Sequence, residues 1–137
     1  MRTVRPALLG CLSAVLVAAC AAGTTTTAPK GSTQYPQQPP AGNPVISATV
    51  SVANFSFSPA SVSLAAGGTV TWSWQDSGHS VTSDGSPSFA PNAPISAAGS
   101  TLGPVVFAAA GTYQYYCMVH GSPGGYGGGM LGSIFVQ

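Results

Sequence analysis

From Val45 to Val136, apolar and polar side chains alternate every second residue in short runs broken by Gly, Pro, Asn and Ser, and no helical apolar period is sustained. That pattern predicts strands throughout. Ile46, Ala48, Val50 and Val52 share one parity, whereas Phe55 and Phe57 take the other, so a bulge or bend is expected near Ala53-Asn54. Pro59 ends this strand. Val62 and Leu64 open a second, and Ala65-Ala66-Gly67-Gly68 is expected to turn the chain into Val70, Trp72 and Trp74, which alternate with Thr69, Thr71 and Ser73. The two indoles are most simply core. Residues 84 to 103 are rich in Ser, Pro, Ala and Gly and are the least readable stretch, with Phe89 and Ile95 as expected anchors. Val105 and Phe107 form a further strand, Ala110-Gly111 a turn, and Tyr113, Tyr115 and Cys117 share one face of the next. Ile134 and Val136 close the last. Seven or eight short strands in the 93 residues from 45 to 137 imply an all-β, two-sheet antiparallel sandwich with Greek-key connections.

The first 44 residues are unlike the rest. Arg2 and Arg5 precede an uncharged, mostly apolar run of 14 residues, Pro6 to Ala19, which ends in Val17-Ala18-Ala19-Cys20. This reads as an export signal, too short for the roughly 20 residues of a spanning helix. Small residues before a cysteine resemble a bacterial lipobox, so residues 1–19 are expected to be removed before Cys20 and its thiol lipidated. An uncleaved anchor is the alternative; both place the domain outside the cytoplasm. Residues 20–44 follow as a tether, with Thr24 to Thr27 and Pro29, Pro36, Pro39, Pro40 and Pro44 among Gly, Ser and Gln. For the 24 residues from 21 to 44, flexible-chain statistics give a reach of roughly 25 to 30 Å.

Charge excludes whole classes of function. Lys30 lies in the tether, and residues 45–137 contain Asp76 and Asp84 but no lysine or arginine. Phosphate neutralisation of a nucleic acid and a cationic patch for anionic lipid are both excluded. Membrane attachment is expected only through lipid at Cys20. Asp76 and Asp84 read as solvated loop charges, since no nucleophile or basic partner supports them as a hydrolytic acid–base pair.

Cysteine usage sharpens the picture. Cys11 leaves with the signal and Cys20 is taken by lipid, so Cys117 has no disulfide partner in an oxidising compartment. It is either a small buried hydrophobe or a metal ligand. His120 stands three residues on, Met130 begins the last strand, and His79, the chain's one other histidine, follows the tryptophan strand. A thiolate, two imidazoles and a weak thioether are the soft set that copper selects. The ligands suffice for one ion. With two histidines, the chain cannot build a multicopper oxidase, and a binuclear centre lacks its second cysteine.

The segment Asn54-Phe-Ser-Phe-Ser-Pro59, the strand Gly68-Thr-Val-Thr-Trp72, Asp76 to His79, Gly111-Thr-Tyr113, Cys117-x-x-His120 and Met130-x-Gly132-x-Ile-x-Val136 together resemble the cupredoxins, the plastocyanin-like small blue copper proteins. The resemblance covers Asn54 to Gln137. It implies a cupredoxin-like fold, His79, Cys117 and His120 as near-trigonal ligands of one Cu(I)/Cu(II) ion, Met130 as the long axial ligand, and Tyr113 as a tyrosine corner. Two departures stand out. Nine residues, Gly121 to Gly129, separate His120 from Met130, more than is usual in the family, and Ser80 replaces the asparagine that often follows the first histidine.

The expected function is therefore non-enzymatic: a lipid-anchored, extracytoplasmic one-electron carrier, monomeric, cycling a single type 1 copper. Its exchange edge is expected at His120, where Met118, Val119, Pro123 and Tyr126 would form an apolar docking patch for redox proteins. A copper protein for delivery or storage without redox turnover uses the same ligands, and a structural β-sandwich with Cys117 simply buried is the third reading.

Overall fold

The computed structural model describes residues 35–137. The signal segment, Cys20 and the tether up to residue 34 lie outside the described residues. Eight strands account for nearly all of the regular structure: β1 Val45–Ala53, β2 Ser56–Ser58, β3 Ser61–Trp74, β4 His79–Asp84, β5 Ala93–Ser96, β6 Thr101–Phe107, β7 Gly111–Tyr116 and β8 Leu131–Val136. A single 3₁₀ turn, Pro123–Gly125, interrupts the loop between β7 and β8. Among the described residues no helix is long and apolar enough to cross a membrane.

β3 builds the sandwich by serving both layers. Its first half, Ser61 to Leu64, pairs with β8, and its second half, from Gly68 onward, pairs with β6 and with β1. One layer is then β2-β1-β3-β6 and the other β3-β8-β7-β4-β5. The expected turn at Ala65–Gly68 is thus a bend within one strand. The expected all-β sandwich is present and most of its pairs are antiparallel, but β1 with β3 and β3 with β8 are parallel. Two chain reversals, one on each side of β2, bring β3 back in the direction of β1.

The bulge or bend expected near Ala53-Asn54 takes the form of a hairpin turn. Ala53 pairs with Ser56 across a two-residue loop, Asn54-Phe55, whose φ angles are 50° and 57°. A change of parity is what a two-residue loop leaves in a sequence, as a bulge does. Only the C-terminal half of β1 lies in the core: Val50 and Val52 are fully buried, while Ile46 is 79% exposed.

The core is aromatic. Trp72 stacks on Phe89 at a centroid distance of 5.3 Å and meets Tyr115 edge-on at the same distance, while Phe57 packs against Tyr115 at 4.7 Å. Burial of each such side chain is worth about 1.5–3 kcal/mol relative to exposure. Phe89 anchors its loop as expected, but Ile95 is 54% exposed on β5, at the end of the strand order. β6 starts at Thr101, four residues before Val105, because Gly103-Pro104 and a register shift opposite Val70/Trp72 break its alternation. The Tyr113 hydroxyl donates to the Ala109 carbonyl at 2.9 Å, the local bond that a tyrosine corner makes.

Candidate metal centre

β4 and β7 are antiparallel neighbours, with Thr82 opposite Tyr116. The first residues of β4 therefore lie beside the residue that follows β7, which brings His79 and Ser80 to Cys117. Tryptophan fixes the histidine's backbone: Trp74 Nε1–H donates to the His79 carbonyl at 2.8 Å. His120 arrives from the turn after Cys117, whose carbonyl accepts from the amides of His120 and Gly121 at 3.2 and 2.8 Å.

His79 Nδ1 lies 3.1 Å from His120 Nδ1, and Cys117 Sγ lies 3.5 Å from His120 Nδ1. One ligand atom from each of the three residues falls within 4.8 Å of the other two. His79 and Cys117 are buried and His120 is partly exposed. Two nitrogens and a sulfur facing one another at this spacing, in a site closed on two sides, fit one soft, borderline cation. The fold brings together three of the four residues singled out in the sequence, His79, Cys117 and His120.

Met130 also reaches this end of the sandwich. Its amide donates to the His120 carbonyl at 2.8 Å, and its carbonyl accepts from the Cys117 amide at 3.0 Å. These two bonds close the Gly121–Gly129 excursion at its neck. The length of the loop therefore does not decide where Met130 sits. Its side chain is 1% exposed and belongs to the core cluster with Cys117. Gly129 is required at the neck, since a Cβ there would fall on the His120 carbonyl and its φ is +112°.

Ser80 replaces a longer amide yet still ties the two strands. Its amide lies 3.3 Å from Cys117 Sγ as donor, and its hydroxyl accepts from the Met118 amide at 2.8 Å. A hydrogen bond to the sulfur draws charge from a thiolate and raises the potential of whatever it binds.

Both aspartates turn out to be engaged rather than merely solvated. Asp76 Oδ1 sits 2.9 Å from His79 Nε2, and Asp76 Oδ2 accepts from the Asn54 amide at 2.9 Å. The carboxylate thus lies beside the outer nitrogen as a close polar contact, while Nδ1 faces His120. Asp84 accepts from the Tyr35 hydroxyl at 2.7 Å and from the Gly124 amide in the ligand loop. Tyr35 lies in the segment read as tether, yet it is buried, and burial followed by the bond to Asp84 pushes its hydroxyl pKa upward.

Sequence reasoning missed one residue at the site. Phe55, which shares the parity of Phe57 in the sequence, is 67% exposed, with its ring edge-on to His120 at 4.6 Å and to His79 at 5.8 Å. Parity gave no signal of this, because Phe57 shares it and is buried.

The fold and the converging soft donors define a single-site copper protein on a β-sandwich. Residues 44–137 match the family model described as copper binding proteins, plastocyanin/azurin family, and the chain belongs to that family. Membership implies a copper-binding electron carrier with one copper ion. Among solved structures, the purple cupredoxin from Nitrosopumilus maritimus is 26% identical, covering 66% of this chain and 99% of that one, with a TM-score of 0.53. A reduced Cu(I) form of an amicyanin proline-to-glycine mutant is 26% identical over 65% of this chain and 80% of that one, TM-score 0.51. A copper-containing nitrite reductase from Thermus scotoductus is 25% identical over 69% of this chain but only 22% of its own, TM-score 0.52. Comparison with curated protein sequences yields no match.

Proposed function

We propose that the chain is an extracytoplasmic one-electron carrier in which His79, Cys117 and His120 hold the copper ion and Met130 is its weak axial ligand. Support comes above all from the convergence of His79 Nδ1, Cys117 Sγ and His120 Nδ1 within 4.8 Å. When bound, copper supplies the one-electron couple. The residues supply a fixed frame: Trp74 holds His79 with Asp76 beside its ring, Ser80 bridges to Cys117, and the neck bonds hold His120 beside Met130. A frame that is already set changes little between oxidation states, which is what fast electron exchange needs.

Electrons exchange at His120, the partly exposed ligand. Met118, Val119 and Tyr126 around it are 53%, 51% and 61% exposed, and Pro123 is exposed as well. This apolar surface receives redox-protein partners, and the lipid on Cys20 keeps the monomer near a membrane. The chain itself is not an enzyme. Closure of the ligand loop at its neck favours retention over delivery of the metal.

Repeated voltammetric cycling of the copper-loaded chain tests this function. A reversible one-electron wave with one copper retained per chain is expected. Loss of copper on each reduction would leave the delivery or storage reading in its place.

A further inference from the structure

The two-residue loop Asn54-Phe55 has positive φ at both positions, the conformation in which Asn-Gly is favoured and a bulky side chain is strained. Asparagine suits the first position. Phenylalanine does not suit the second, and packing does not explain it, because the ring is 67% exposed. Its placement does. The ring stands edge-on to both imidazoles, at 83° to His120 and 86° to His79, and the two imidazoles are themselves 4.8 Å apart. The same loop is tied to the site a second time, since the Asn54 amide donates to the Asp76 carboxylate that also touches His79 Nε2.

We infer that Phe55 is a cover over the two-histidine edge of the copper site, held by the β1–β2 turn and latched through Asp76, which keeps water and small anions off the metal. This rests on the ligand assignment proposed above. Cu(II) otherwise takes further ligands toward a tetragonal geometry, and the apolar groups around a metal govern that access. A strained residue at such an edge is where the fold gives up some turn stability for the sake of the site.

The test uses the full-length chain with Phe55→Gly and Phe55→Leu variants, read by azide titration of the Cu(II) form in visible and EPR spectra and by thermal unfolding without metal. The expected result is that Phe55→Gly responds to azide at a concentration about tenfold lower than wild type or less, as removal of a group around a metal site commonly does. Phe55→Leu should restore most of the resistance. Without metal, Phe55→Gly should unfold no lower than wild type, because glycine suits the positive φ. An unchanged azide response with the thiolate band intact would overturn the cover, as would a metal-free Phe55→Gly that melts well below wild type, which would make Phe55 a packing residue. Absence of a thiolate band in wild type would overturn the ligand assignment and the cover with it.

Discussion

At the scale of the residue, rarity made the ligands legible. Two histidines, one thiol without a partner and a methionine at a strand start left few ways to assemble a soft site. The groups around them were less legible: Asp76 lies only three residues before His79 but reads as a loop charge, and Asp84 reaches Tyr35 only once the ends of the sandwich are built. Gly132 is another register effect. It faces Tyr115 across the β7–β8 ladder, and a Cβ there would collide with the phenol ring. Gly132→Ala is expected to lower stability by about 1–3 kcal/mol in urea unfolding, as overpacking does. Tyr35 makes a prediction with a definite sign. Its hydroxyl pKa is raised in the folded state, so its contribution is whole below the unfolded value near pH 10 and falls as pH rises above it. Tyr35→Phe should therefore flatten the loss of stability above about pH 10, measured by unfolding at a series of alkaline pH values. A slope equal to that of wild type would show that Tyr35 does not titrate this way, leaving buried Tyr115, whose pKa is also raised by burial, to account for it.

At the scale of the element, the alternating pattern identified strands and their faces but not their partners. Parallel pairing of β3 with β1 and β8 left no mark on parity, and neither did the bend that lets one strand serve two layers. β6 was hidden at its start because Gly103-Pro104 interrupts alternation where the strand already pairs. The glycine-rich loop stands out in the sequence by its length, yet hydrogen bonds at its neck separate that length from its function. Deletion of Gly127 and Gly128 is accordingly expected to leave the copper spectrum unchanged and to alter stability by less than about 0.5 kcal/mol, since closure entropy varies slowly with length. A displaced spectrum would mean that the excursion itself positions Met130.

At the scale of the whole molecule, the near absence of charge sets how it meets partners. With a formal net charge of +1 and no lysine or arginine beyond Lys30, its encounters are little steered by long-range fields. Electron self-exchange should change by less than about threefold between ionic strengths of roughly 0.01 and 0.15 M, over which the Debye length falls from about 30 to 8 Å. A steep dependence would contradict an apolar docking edge at His120. Whether His79, Cys117, His120 and Met130 hold one copper is decided by a Cu(II) titration of the chain followed by visible and EPR spectroscopy, with Cys117→Ala and Met130→Ala in parallel. An intense thiolate charge-transfer band is expected that saturates at one copper, disappears without Cys117 and shifts without Met130. A Cu(II) complex with no thiolate band, or one that Cys117→Ala leaves intact, would contradict it.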